Sequence, residues 1–190
     1  LKGFLPDKVD LVVSGINPNF NLAQDLTYSG TVTAAMEAVI AGVPGVAVST
    51  QARSLEAYAP AAGWARHIVR LCLSRGLPTG VLLNLNVPKA PQGLKITRQG
   101  RRIYHDVAVI REDPRGRPYY WIGGDAPTGV PERGTDVGAL AEGFVSVTPL
   151  QLDLTAYRAL TDLNTWHWDV ETNTDLVSQI VFSDQPWKLK

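Results

Sequence analysis

The sequence predicts an α/β fold: a Rossmann-like, three-layer parallel sheet with an antiparallel β extension and a C-terminal tail. Short β-branched apolar runs alternate with longer segments of helical spacing, and this alternation produces βαβ units with parallel strands. The apolar runs are nearly continuous, which is typical of strands covered by helices on both faces. After residue 88 short runs separated by turn signals favour antiparallel strands.

The first half of the chain contains three predicted strands and two predicted helices. The strands cover residues 9–14, 43–49 and 81–87, and Gly15 is expected to end the first of them. An Ala-rich helix at 30–41 stops at a Gly and a Pro two residues apart. A second helix begins at its predicted cap, Ser54, and runs to residue 73 before another Gly and Pro.

The second half contains shorter elements. The predicted antiparallel strands are 94–97, 102–110 and 117–122, with turn signals at 99–100 and 113–116. A short helix at 135–142 opens with Thr135 or Asp136, and a last strand covers 144–150. The tail has no clear end and too few apolar residues for a core of its own, so we expect it to pack on another subunit.

The bulk composition excludes several classes of function. The 190 residues include 18 Lys plus Arg and 18 Asp plus Glu, so no excess of charge favours a nucleic-acid partner or an acidic membrane surface. The sequence has no apolar run long enough to span a membrane, and we expect no signal peptide. Its single cysteine, Cys72, is expected to be a buried, inert thiol. We therefore expect a cytoplasmic protein.

The loop between the first strand and the first helix has the composition of a ligand site. In open α/β sheets, ligands bind beyond the carboxyl ends of the strands. Ser29, Gly30 and Thr31 open the helix, where unpaired backbone amides and the helix dipole favour an anion such as phosphate. On residue types alone the more common role of Ser29 is that of an N-cap and nothing more.

Asn17 follows the first strand and is a candidate metal ligand. Magnesium accepts amide and hydroxyl oxygens but usually requires a carboxylate as well. The loop offers Asp25 and no pair of carboxylates, so the site looks incomplete. An Asn in a turn is also often purely structural.

Residues 9–49 resemble the SurE family of nucleotide phosphatases. The family patterns are S-G-[IV]-N-x-G-x-N-x-G, Y-S-G-T-V-x-A-A and G-x-P-x-x-A-V-S, and all three occur here in order with two substitutions. Further matches are NLNVP at 84–88, ITRQG at 96–100, DPRGRPYYWIGG at 113–124, GTD at 134–136 and EGFVSVTPLQLDLT at 142–155. The resemblance thus covers about 150 residues in order, which is more specific than any single motif.

The resemblance implies a metal-dependent phosphomonoesterase acting on nucleoside 5′- and 3′-monophosphates, with polyphosphate as a further substrate. It implies that Asn17 is a metal ligand for Mg or Mn, and that Asn17 and Ser29 are the catalytic residues. Asn21, Ser29, Gly30 and Thr31 would bind the phosphate. The family's other metal ligands, two Asp of an N-terminal N-D-D-G motif and a Ser, are absent from this sequence.

Two positions depart from the family pattern, since Asn19 and Ala23 stand where the family has Gly. Asn adopts positive φ at modest cost and Ala less readily. We expect residues 1–155 to form the SurE-like domain, with its N-terminal part missing and a β-hairpin extension at about 98–124. The tail, 156–190, and the hairpin are the expected contacts of a homodimer or homotetramer.

Two other functions compete with this interpretation. A non-catalytic fragment that binds phosphate weakly and serves assembly would fit the missing Asp pair. A dinucleotide-dependent oxidoreductase is disfavoured because no G-x-G-x-x-G follows a strand. We expect His67 and His105 to be solvated or locally bonded rather than general bases. Asp136 and Arg98 are expected to be structural.

Overall fold

Three parallel strands and two flanking helices organise the first of two compact units, which lie within residues 1–153 and 154–190. The structure is a computed structural model, and it describes residues 8–52 and 54–168. Strands β1 (Val12–Asn17), β2 (Gly45–Thr50) and β3 (Val81–Val87) pair in parallel in that order. Their connections contain α1 (Gly30–Ile40) and α2 (Ala59–Arg75). The predicted βαβ units are therefore confirmed.

The rest of the central sheet is mixed rather than parallel. Strand β7 (Val145–Gln151) pairs antiparallel with β3, and β4 (Leu94–Ile96) pairs in parallel with β7 at the edge. The sheet order is thus β1-β2-β3-β7-β4. The prediction that residues 94–97 form an antiparallel strand is wrong, because β4 pairs in parallel with β7 in the main sheet. The sequence pattern predicted the position of this strand along the chain but not the strand with which it pairs.

Helices on both faces of the sheet create two apolar cores. Alternate side chains of each strand point to opposite faces, so Val46 and Val48 face α2 while Ala47 faces α1. On the α2 face the helix residues are Ala61, Ala65, Ile68 and Cys72, and on the α1 face they are Val32 and Ala35. This three-layer arrangement confirms the predicted fold class.

The observed bounds of two elements differ from the predicted ones. Gly15 does not end β1, which continues to Asn17 with an irregular register after Ser14. Gly15 has a φ of +123°, and a Cβ there would lie 2.4 Å from the Val48 carbonyl oxygen. Ser54 makes no side-chain capping bond, and a 3-10 turn, Leu55–Tyr58, precedes α2.

A two-stranded hairpin projects between β4 and α3 (Asp136–Ala141). Its strands, β5 (Arg102–Glu112) and β6 (Pro118–Gly129), pair antiparallel along their length. The predicted turn at 113–116 is confirmed, because Asp113 Oδ1 accepts bonds from two backbone amides across the turn and Gly116 has a φ of +74°. The hairpin occupies residues 102–129, so it begins four residues later and ends five residues later than the predicted 98–124.

Thr135 caps α3, as expected, because its side chain accepts a bond from the Gly138 amide. The second unit contains α4 (Tyr157–Leu163), followed by Trp166 and Trp168, whose rings stack. Residues 169–190, most of the predicted tail, lie outside the described residues. Within the described ranges, no helix is both long and apolar enough to cross a membrane.

Candidate phosphate and metal site

The loop between β1 and α1 lies at the carboxyl ends of the three parallel strands. Asn17 ends β1 and pairs in register with Ser49 of β2, which in turn pairs with Asn86 of β3. Because parallel strands end at the same edge, polar residues from three elements meet at this point. The position agrees with the one predicted for the site.

Asn21 fixes the first part of the loop to the sheet. Its side-chain amide donates to Ser49 Oγ at 2.6 Å, and its backbone amide donates to Asn86 Oδ1 at 2.9 Å. Its carbonyl accepts from the side chains of Asn84 and Asn86 at 2.9 and 3.0 Å. Asn21 is buried, and its amide nitrogen is committed to Ser49. The contact of Asn21 with phosphate stays a prediction beside this structural role.

The second part of the loop is fixed at Ala23, one of the two positions that depart from the family pattern. Ala23 has a φ of +49°, whereas Asn19 is not among the described residues with positive φ. The Ala23 amide donates to Asp136 Oδ2 at 2.8 Å, and its carbonyl accepts from Gln99 Nε2 at 2.7 Å. The structural role expected of Asp136 is therefore confirmed, since this fully buried carboxylate binds backbone amides.

Ser29 caps α1. Its Oγ accepts a bond from the Val32 amide at 3.2 Å, and its carbonyl accepts from the Thr33 amide at 2.9 Å. The backbone amides of Gly30 and Thr31 have no hydrogen-bond partner within the described part of the chain. Gly30 is exposed and Thr31 is half-buried. Two backbone donors without a partner among the described residues thus adjoin the buried Ser29 hydroxyl at the positive end of an 11-residue helix.

Asn17 presents an amide oxygen at the same edge. Its Nδ2 donates to the Asn19 carbonyl at 2.6 Å, which leaves Oδ1 as the acceptor. An amide oxygen suits a hard divalent cation. Asp25 is held by an ion pair in which its Oδ2 lies 2.8 Å from Arg102 Nε, and the described residues contain no group of three or more His, Cys, Asp or Glu that could hold a metal. An amide oxygen in this position could serve as one ligand of such a cation, and the assignment of Asn17 as a metal ligand stays a prediction.

The other polar residues singled out from the sequence lie away from this edge or have partners of their own. His67 is exposed on α2 and contacts the Trp64 ring edge-on. Arg98 forms an exposed ion pair with Glu132. Cys72 is buried against the sheet as expected, and this burial raises the pKa of its thiol. The side chain of His105 lies outside the described residues.

Sequence reasoning missed the two asparagines of β3. Asn84 and Asn86 are fully buried, and both bind the loop through Asn21. A signal was present, because two polar residues at alternate positions of an otherwise apolar strand point to the same face. Buried polar groups need partners, so this pattern predicts a polar contact on that face.

Comparison with known proteins gives a consistent set of relatives. The model of the family described as "Survival protein SurE" matches residues 1–106. A protein of Chloroflexus aggregans named 5′-nucleotidase SurE is 51% identical over 174 residues, which are 88% of this chain and 68% of that protein. A protein of the same name from Herpetosiphon aurantiacus is 46% identical over 179 residues, or 89% of this chain and 69% of the relative.

A solved structure is similar as well. The crystal structure of the SurE protein from Aquifex aeolicus aligns with a TM-score of 0.69 and 41% identity. The alignment covers 83% of this chain and 65% of that one. The chain thus spans about two thirds of the length of the proteins that it matches.

Proposed function

The chain belongs to the SurE family, and from this membership we propose that it forms the phosphate-binding part of a 5′-nucleotidase. The proposed reaction is hydrolysis of nucleoside 5′-monophosphates to nucleoside and phosphate. One structural observation supports it most directly: the amides of Gly30 and Thr31, which have no partner among the described residues, adjoin the Ser29 hydroxyl at the start of α1. A neutral chain can bind an anion in this way without a cationic side chain.

The three donors define how the phosphate is held. The amides of Gly30 and Thr31 point along the axis of α1, where its dipole favours negative charge. The Ser29 hydroxyl accepts from Val32 and retains its own proton for donation to a phosphate oxygen. Because Ser29 is only 8% exposed, water competes weakly for that bond. These donors would stabilise the charge that spreads over the phosphoryl oxygens during transfer.

We assign the metal contact to Asn17, with Mg or Mn as the expected ion. The bond from its Nδ2 to the Asn19 carbonyl orients the amide, so that Oδ1 is the atom offered to a cation. A divalent cation held there would polarise the phosphoryl group as a Lewis acid. The family resemblance implies carboxylate ligands that the described residues do not supply.

The proposal extends to nucleoside 3′-monophosphates and polyphosphate as further substrates, and to a homodimer or homotetramer as the assembled form. The hairpin supports assembly, because it exposes large apolar side chains, including Ile110, Tyr120 and Trp121. A monodisperse monomer in light scattering at micromolar concentration would contradict the assembly. No specific observation favours a non-catalytic role for the chain.

Phosphate release from adenosine 5′-monophosphate in the presence of Mg²⁺ or Mn²⁺ tests the proposal. The assay compares the chain alone with the chain supplied with the N-terminal third of the Chloroflexus aggregans relative. Asn17→Ala is expected to lower turnover at least about tenfold, since it removes a metal ligand. Asn19→Ala is the matched control, because the Asn19 backbone carbonyl accepts the hydrogen bond from Asn17 and the substitution leaves that carbonyl in place.

Turnover that falls in the Asn17 variant and persists in the Asn19 variant would support the assignment. Equal losses in both variants would mean that the loop conformation, and not the Asn17 oxygen, is what matters. Absence of turnover both alone and with the added segment would overturn the proposed activity.

A further inference from the structure

Ala23 is held in an unfavourable backbone conformation by two side chains distant in the sequence. Its φ of +49° lies in the left-handed region, which side chains other than Gly, Asn and Asp rarely adopt. Its amide is bound by Asp136 and its carbonyl by Gln99. Both backbone groups are thus satisfied by the segment that surrounds the hairpin, and not by the loop itself.

Asp136 is the stronger of the two partners. It is fully buried at the first position of α3, and its Oδ1 accepts from the amides of Gly100 and Val137, both at 2.8 Å. Its Oδ2 accepts from Ala23 at 2.8 Å. Only a carboxylate of this size accepts on both oxygens, so one oxygen holds the base of the hairpin and α3 while the other holds the loop.

The contact at Ala23 reaches the phosphate donors through a short rigid segment. Ala23 begins a 3-10 helix, Ala23–Tyr28, and the Ser29 amide donates to the Leu26 carbonyl at 3.3 Å within its last turn. Leu22 and Ala23 also pack against Val137 of α3. A displacement at Ala23 is therefore carried along about two turns of this 3-10 helix to Ser29.

We propose that Asp136 is a positioning residue of the phosphate site. By binding the Ala23 amide it sets the path of the loop, and the loop places the Ser29 hydroxyl and the first amides of α1 for phosphate. The inference rests on the proposed function, since it assumes that phosphate binds at this helix terminus. Asp136 itself does not contact the phosphate.

Asp136→Asn separates the two roles of this side chain, which are to bind the loop at Ala23 and to bind the amides of Gly100 and Val137. An amide keeps its oxygen where it accepts two bonds, from Gly100 and Val137, and its NH₂ group then faces the Ala23 amide. Two donors oppose each other at that contact, and the loop is released while the contacts within α3 persist. Asp136→Asn is thus expected to change the loop more than the fold.

The test is a titration of inorganic phosphate into the isotopically labelled chain, followed through the NMR amide signals of Gly30 and Thr31. Asp136→Asn is expected to weaken phosphate binding by roughly tenfold, the effect of a lost charge-assisted hydrogen bond. Gln99→Ala removes the uncharged hydrogen bond to the Ala23 carbonyl, and we expect it to weaken phosphate binding less than Asp136→Asn does. Thr135→Ala is the control, because it removes the cap of α3 and leaves the Asp136 carboxylate in place.

A phosphate affinity that falls in the Asp136 variant, less in the Gln99 variant and not in the Thr135 variant would support the positioning role. Equal weakening by Thr135→Ala would assign the effect to general loosening of α3 and overturn the inference. An unchanged affinity in Gln99→Ala and in Asp136→Asn would also overturn it, while leaving the proposed function in place. If phosphate shifts neither amide signal of the unsubstituted chain, the proposed function fails and the positioning role fails with it. Should Asp136→Asn not fold, the comparison of Gln99→Ala with Thr135→Ala decides.

Discussion

Ser29 caps α1 in the structure and, in the proposed function, also donates to phosphate, and two substitutions separate these roles. Ser29→Ala removes both the cap and the donor. Ser29→Asp keeps a capping oxygen for the Val32 amide, because Asp and Ser are comparable N-caps. The Asp carboxylate is also favoured by the positive end of the helix, but it repels a phosphate bound there.

The expected magnitudes rank the two variants in opposite orders. Ser29→Ala should lower the free energy of unfolding by about 1 kcal/mol, which is about 2–4 °C in Tm for a chain of this size. Ser29→Asp should leave the stability within about 0.5 kcal/mol of the unsubstituted chain. Unit charges about 4 Å apart repel by about 1 kcal/mol in water and by about 4 kcal/mol at an effective dielectric constant of 20. A repulsion of about 1 kcal/mol, the value in water, corresponds to an about fivefold loss of phosphate affinity. Because Ser29 is only 8% exposed, the loss in Ser29→Asp should be well above fivefold.

Thermal unfolding and a phosphate titration of both variants measure the two rankings. The reasoning holds if Ser29→Ala is the less stable variant and Ser29→Asp is the weaker phosphate binder. It is refuted if Ser29→Asp binds phosphate as tightly as the unsubstituted chain, since Ser29 would then be a cap and nothing more.

Three further predictions concern the frame that holds the site. Gly15→Ala should destabilise the fold by about 3 kcal/mol or more, because its Cβ would lie 2.4 Å from the Val48 carbonyl oxygen at a φ of +123°; urea unfolding measures this, and a loss below about 1 kcal/mol would contradict the described backbone. Asn86→Leu should cost about 2–4 kcal/mol, because it leaves the Asn21 amide without its buried acceptor; a near-neutral effect in the same assay would show that the loop is not held through β3. Cys72 should react with iodoacetamide far more slowly in the folded chain than in urea, because burial raises the pKa of its thiol; equal rates at pH 8 would rule out the buried position.

The sequence predicts well those features that depend on neighbours along the chain. Strand β3 occupies the predicted residues 81–87, and α1 begins at Gly30 and ends within one residue of the predicted position. The Ser29 cap and the turn at 113–116 were also recognisable. Each of these is encoded by periodicity, capping or turn chemistry over a few residues. The local pattern already indicated an anion site at the start of α1 and a metal ligand at Asn17, and the family resemblance added the nucleotide substrate and the roles assigned to Asn17, Asn21 and Ser29.

The tertiary structure decided which distant residues hold the site together. The loop between β1 and α1 is visible as a ligand site in the sequence, but its path is set by Asn86, 65 residues beyond Asn21, and by Asp136, 113 residues beyond Ala23. Such contacts follow from how strands and helices pack, and local spacing carries no record of them. Local spacing likewise did not show that the main sheet is mixed, because the antiparallel pairing of β7 with β3 and the parallel pairing of β4 with β7 join strands that are distant in the sequence. The sequence by itself thus predicted most of the elements and the donors of the proposed site, and the packing of distant segments determined where those donors are held.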